Sequence, residues 1–290
     1  MAEYDLGSLI LSVSQLEKGS EEYARRNGAN GGNRKPIKVF SYKKGNIYVL
    51  GREVNEETLE DISKVRLSHI VPSKSERHLL ESLIWVLANQ RINYERTVAF
   101  LHQLHGIKLE MLRDPEIVYK IAHETELRWF DTNRFESALN YVEQNGGVKE
   151  VAENYLENPH EFRKELVSKV KWMGMKIASM WYQAIGGEKD ILCLDVHHLR
   201  EAANMGVEEV PRTSYIGHER RKGMTAGRFE LRSINKRKYE EIESKLVELI
   251  TSSRTAKKYP EFFFNEDGIL NGLFTSALLW GMSAQAYRRE

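Results

Sequence analysis

Lys176 stands two residues after Gly174, at the head of the apolar stretch that runs to Ile185. Asp195 follows nineteen residues later, directly after the apolar run Ile191-Leu192-Cys193-Leu194, and opens the stretch Asp195-Val196-His197-His198-Leu199-Arg200. Read singly, the lysine is a solvated side chain early in a helix and the aspartate is an N-cap. The segment before Lys176 adds a second kind of chemistry. Backbone N–H groups at a tight hairpin and at a helix N-terminus point outward unpaired, so Lys171–Met175 (KWMGM) could hold a phosphate oxygen, with the helix dipole adding attraction. Such contacts fix register on a nucleic acid without reading its bases; the same spacing also suits an ordinary helical turn. His197 and His198 could contact a phosphate or serve structure. Metal binding by this pair is not expected, because adjacent helical residues point about a hundred degrees apart and no third ligand is evident. Cys193 is the one cysteine, which excludes an intrachain disulfide and a cysteine-ligated zinc or iron–sulfur site within one chain.

The elements that must position these groups are mostly helical. Asn158 to Val170 reads as one helix, with proline after the capping asparagine and Glu161 three residues beyond the cap. Lys176 to Ile185 reads as a second, stopped by Gly186-Gly187. Further upstream, Ser73 with Glu76 forms a capping-box signal ahead of Leu79, Leu80, Leu83, Ile84 and Leu87 at helical spacing. Asp114-Pro115 marks another helix start, and Gly146-Gly147 and Gly206 mark stops. The last helices are expected over 236–252 and roughly 268–287. The latter stretch carries no charge and is as long as a membrane span, but Asn271, Thr275, Ser276, Ser283, Gln285 and three glycines interrupt it, so it reads as a buried helix. Near the N-terminus, IKVFSY and NIYVLG flank Lys43-Lys44-Gly45 and predict a small β-hairpin. The expected organisation is a mixed N-terminal segment over 1–72 and a helical body over 73–290.

Together, Gly174, Lys176, Ala178, Asp195, His197 and Arg200 resemble the helix-hairpin-helix (HhH-GPD) DNA glycosylase superfamily. That family's pattern is a glycine-bearing hairpin, a lysine, a helix, an apolar pair, then Asp-x-His and an arginine. The resemblance covers roughly residues 73–250, and its specific part is 170–200. It implies a mainly α fold of two helical subdomains, here with a small N-terminal antiparallel β segment. Lacking the family's cysteine cluster, the chain resembles the cluster-free, lysine-containing, bifunctional branch, such as the 8-oxoguanine glycosylases. There are two departures: Trp172 stands where the first hairpin glycine is usual, and Lys171 where proline is common. Trp172 could stack on a sugar or base, or pack inward.

The resemblance also implies a chemistry. A damaged base would be flipped from the duplex into a pocket. Lys176, as the neutral amine, would attack the sugar C1′, expel the base and form a Schiff base; a free lysine titrates near about 10.4, so its surroundings must favour the neutral form. Asp195 would stabilise positive charge on the sugar or help deprotonate the amine. The Schiff base permits β-elimination, hence a combined glycosylase and AP lyase. Leu87-Ala88-Asn89-Gln90 resembles the helix end from which a residue enters the stack, so Gln90, with Arg91, is the candidate to fill the vacated space. Phe130 is a second candidate wedge or a core residue. Lys171, Trp172, Gly174, Met175, His197 and Arg200 are the remaining candidate DNA contacts. No cofactor and no metal are implied; the partner is double-stranded DNA bearing a damaged base, bound by a monomer.

Composition is compatible with this reading. The 290 residues are 41% hydrophobic and 29% charged, with net charge +1. That near-neutral balance hides a local excess, since residues 211–238 carry nine Lys or Arg against two Glu. Such a patch suits phosphate contacts or ordinary solvation. The start MAEYDL shows no signal peptide, so an intracellular, cytoplasmic or nucleoid protein is expected. Other readings remain: excision of a deaminated, alkylated or oxidised pyrimidine base, action on abasic sites alone, or a non-catalytic DNA-binding hairpin. Trp85, Trp129, Trp181 and Trp280 could line a pocket or the core.

Overall fold

The computed structural model describes residues 40–43, 46–49, 52–53, 55–67, 74–88, 94–127, 130–208, 210 and 234–286. They are mainly helical. In chain order the elements are β1 (Phe40–Lys43), β2 (Asn46–Val49), β3 (Arg52–Glu53), α1 (Glu56–Leu67), α2 (Glu76–Ala88), α3 (Tyr94–Gly106), α4 (Leu109–Leu112), α5 (Pro115–Glu124), α6 (Thr132–Gln144) and α7 (Val148–Glu157). Then come α8 (Pro159–Lys169), α9 (Met175–Ala184), α10 (Val196–Met205), α11 (Lys236–Thr251), α12 (Arg254–Lys258), α13 (Pro260–Phe263) and α14 (Gly272–Ala286).

Two compact units result: His69–Gly187, and Met1–Ser68 together with Glu188–Glu290. This differs from the expected separation of 1–72 from everything after it. The physical reason lies in packing: α1 lies against α14, β1 against α10, and β2 against α12. The N-terminal elements therefore share a core with the C-terminal helices.

In the 69–187 unit, α2 is the central helix, and its leucines at helical spacing are all buried: Leu79, Leu80, Leu83 and Leu87. It contacts α3, α7 and α9. Its start is capped by Ser75, whose hydroxyl accepts the His78 N–H at 3.3 Å; Ser73, the expected cap, lies outside the described residues. Asp114 caps α5 as expected, and Asp131 caps α6, each accepting two N–H groups on its carboxylate. Asn158 does not cap α8 with its side chain, although Pro159 takes the first helical position. The core closes on aromatics. Tyr155 contacts Phe162, Trp181 and Tyr182, and its hydroxyl donates to the Ala178 carbonyl at 2.8 Å. Trp181 is fully buried, and its indole N–H donates to Ser82 at 3.1 Å. Burying each such ring contributes roughly 1.5–3 kcal/mol, and pairing the buried N–H avoids a cost of similar size.

In the other unit, β1 pairs antiparallel with β2, Phe40 opposite Val49 and Lys43 opposite Asn46, and β2 continues to β3. The Ile47 N–H donates to Thr255 on α12. The C-terminal helix starts later than expected. Asn265 builds a turn through Asp267 and Ile269, Gly268 takes a left-handed φ of 72°, and Asn271 accepts the Phe274 N–H before α14 runs. Gly272 is required by contact, since a Cβ there would lie 2.4 Å from the carbonyl oxygens of Lys189 and Ile191. Among the described residues, no helix is long and apolar enough to cross a membrane.

Candidate active site

Helices α8 and α9 are joined by Val170–Gly174. Val170 and Met173 turn inward and are buried, and the Met173 N–H donates to the Val170 carbonyl at 3.2 Å. The Lys171 N–H is tied to Ser137 on α6 at 2.9 Å. These anchors push Lys171, Trp172 and Gly174 to the surface. Met175, an expected DNA contact, has its side chain buried, so only its backbone faces outward chemistry. Trp172 did not pack inward: it is 70% exposed, and its φ of +62° lies in the left-handed region. That conformation costs a residue with a Cβ about 1–2 kcal/mol, and glycine nothing comparable. The family pattern's glycine at this position therefore has a backbone reason, and this chain tolerates the strain.

Gly174 is the reverse case. It caps α9 with φ −87° and ψ 170°, and a Cβ there would meet nothing within 4 Å. The protein's own geometry does not demand glycine at this site. The start of α9 has no side-chain cap, and the N–H groups of its first turn have no intrahelical acceptor. Lys176 sits in that turn, half-buried between the buried Met175 and Ile177. Beside the hairpin, an open polar cleft of about 330 Å³ is lined by Asn133, Ser137, Asn140, Gln144, Lys169 and Lys171 among others. Tyr141 also borders it; burial, then a hydrogen bond to Glu165, raises the phenol above its ordinary range.

Asp195 is placed by a different logic. Ile191–Leu194 is fully buried and belongs to no strand or helix; the Ile191 N–H donates to the Lys189 carbonyl, and the next three N–H groups go to side chains. Glu243 accepts the Leu192 N–H at 2.8 Å, Ser276 the Cys193 N–H at 3.2 Å, and Tyr239 the Leu194 N–H at 2.8 Å. The Tyr239 hydroxyl in turn donates to the Leu192 carbonyl. Asp195 then opens α10. Its Oδ1 accepts the His198 backbone N–H at 3.0 Å and lies 2.7 Å from His198 Nδ1. The Asp195 N–H faces the same Nδ1 at 3.4 Å. His198 is 2% exposed, and its Nε2 is buried with no hydrogen-bond partner among the described residues. A buried polar atom left so costs about 1–3 kcal/mol.

Several sequence expectations are placed elsewhere or not at all. Gln90 and Arg91 lie outside the described residues, as do Trp129 and positions 211–233 of the basic stretch; of His197, Arg200 and Trp280 only the helical backbone is described. Phe130 is a core residue, 5% exposed between Phe100 and Phe135, so it is not a wedge. Trp181 is likewise core, while Trp85 is only partly buried. At the end of the basic stretch, Arg237 and Lys238 both bridge to Glu241, whose carboxyl is held below its ordinary range chiefly by the Arg237 bond.

Among the described residues one group has metal-ligating types: His78, Glu81 and His105, with ligand atoms within 4.8 Å of one another. Glu81 already accepts from Arg77 at 3.2 Å, and Arg77 also bonds the Ile107 carbonyl. That cation makes the group a pin between α2 and α3. Sequence reasoning missed the tie between His198 and Asp195. The Asp-x-x-His spacing, which puts a side chain at the third helical position back over the cap, was the available signal.

A helix, a tight hairpin and a second helix opening on a lysine form a helix-hairpin-helix unit, and an aspartate heads a later helix. The family model for 8-oxoguanine DNA glycosylase matches residues 63–221, over half of the chain, and the chain belongs to this family of DNA glycosylases. No curated protein and no solved structure matches it.

Proposed function

We propose that the protein excises an oxidised purine of the 8-oxoguanine type from double-stranded DNA and then nicks the strand as an AP lyase. The observation that carries this reading is Lys176 in the first turn of α9, directly after an outward-facing hairpin, within a chain of this family. The hairpin residues Lys171, Trp172, Gly174 and Met175 engage the DNA backbone, a phosphate oxygen seating on the N–H groups of the α9 start. Gly174 supports this role, because its missing side chain serves nothing inside the protein and leaves room for an outside group. Gln90 and Arg91 fill the gap left by the flipped nucleotide, and His197 and Arg200 contact the strand.

The Lys176 amine attacks C1′ as the base departs with the bonding electrons. The amine gives up a proton, the C1′–O4′ bond opens as O4′ takes one up, and the iminium that results loses a C2′ proton as the 3′ phosphate leaves by β-elimination. Asp195 stabilises the positive charge that develops on the sugar. The enzyme works as a monomer inside the cell and needs neither metal nor cofactor.

The test is borohydride trapping on end-labelled duplexes, each with one lesion, using wild type and Lys176→Ala. A covalent band with an 8-oxoguanine duplex that is lost in Lys176→Ala supports the reading. Base release without a trapped band moves the protein to water-mediated, monofunctional excision by Asp195.

A further inference from the structure

An aspartate that only caps a helix needs no more than the backbone N–H at the third position, and Asp195 already has it from His198. The His198 side chain does something further. Its Nδ1 lies 2.7 Å from Oδ1 and 3.4 Å from the Asp195 N–H, and the shorter contact, to a carboxylate oxygen that can only accept, puts the proton on Nδ1. The imidazole is almost wholly buried, and its other nitrogen has no partner among the described residues. Among the described residues nothing rewards that second nitrogen, and a buried unmatched polar atom in a native structure calls for a functional reason. A leucine here would fill similar space without the unmatched atom, and the backbone N–H would still cap.

We propose that His198 is the positioning residue of Asp195: its Nδ1–H locks Oδ1 against the start of α10, so that the carboxylate meets the developing charge on the sugar in one fixed orientation. The inference rests on the glycosylase reading and adds a residue to it. Two donors on one oxygen, one from the backbone and one from the side chain, remove the rotation about the Cβ–Cγ bond that a simple cap leaves open.

The experiment compares wild type with His198→Leu, His198→Asn and His198→Gln on a lesion-bearing duplex. It reads single-turnover base release, DNA affinity and the thermal midpoint. Asparagine places its amide N–H near the Nδ1 position; glutamine places it near Nε2. The expected result is a fall of about 10–100-fold in the rate of base release for leucine at unchanged DNA affinity, with asparagine restoring most of it and glutamine not. Leucine at the wild-type rate overturns the proposal. If the leucine variant does not fold, equal rates for asparagine and glutamine overturn it, and a rate higher for asparagine supports it. A wild-type protein that releases no base from any lesion duplex sinks the glycosylase reading and this inference with it. An active wild type with an equally active leucine variant sinks this inference alone.

Discussion

The hairpin after α8 and the start of α10 each present one chemically pointed residue, and they hold it in opposite ways. Ahead of Lys176 the hairpin exposes Lys171, Trp172 and Gly174, is uncapped by side chains and is strained at Trp172. Around Asp195 it is buried, and three successive N–H groups before it are tied to side chains from α11 and α14. The first arrangement puts side chains and backbone of the hairpin at the surface. The second spends its hydrogen bonds on fixing a single carboxylate. The difference teaches how packing sets tolerance. The hairpin tolerates an unusual residue at Trp172 because its indole is exposed, whereas Asp195 is embedded where one changed partner strands a buried polar atom.

Substitutions can break that comparison, the strongest at the two pointed residues. Lys176→Ala should abolish the borohydride-trapped complex entirely while leaving DNA binding measurable. Asp195→Asn should slow base release by about 10²–10³-fold, the scale of losing one electrostatic stabiliser. Its thermal midpoint should hardly move, since asparagine caps a helix as well as aspartate. An Asp195→Asn protein that unfolds early, or that cleaves at the wild-type rate, would show that the carboxylate is structural after all.

Gly174→Ala probes the other region. The backbone angles suit alanine and the space around a Cβ is open, so stability should change by less than about 1 kcal/mol. DNA affinity should nonetheless fall about tenfold, the worth of one charge-assisted hydrogen bond to a phosphate. Binding isotherms at one fixed salt concentration check this, and unchanged affinity would remove the hairpin from the interface.

The smallest effect belongs to Trp172→Gly. Relief of the left-handed strain returns about 1–2 kcal/mol, and the chain entropy of glycine takes back roughly 0.5–1. The variant should therefore melt slightly higher while binding DNA more weakly. A variant that melts higher and binds equally well would mean that the exposed indole is a mere passenger.

Much of this was legible beforehand. The α8–hairpin–α9 unit could be read from Pro159, Gly174 and Gly186, because proline fixes the backbone and glycine frees it locally wherever they stand. The leucine spacing of α2 and the caps Asp114-Pro115 were equally local signals. Less legible were the start of α14, set by the Asn265 turn and Asn271, and the fate of Phe130. An aromatic residue beside a helix start has the same composition whether it wedges into DNA or sits between Phe100 and Phe135.

The sequence by itself determined which residue types stand at chemically useful spacings: Lys176 after a hairpin and Asp195 after a buried run, nineteen residues apart. Only the tertiary structure decided which groups hold them. Tyr239, Glu243 and Ser276 come to the 191–194 segment from 45 to 83 positions away, and no local periodicity announces such a bond. The choice of His198 as the partner of Asp195 turned on a helical rotation of one residue. Side-chain direction in a helix is set by the turn it belongs to, and that turn is fixed only once α10 has packed against α14 and β1.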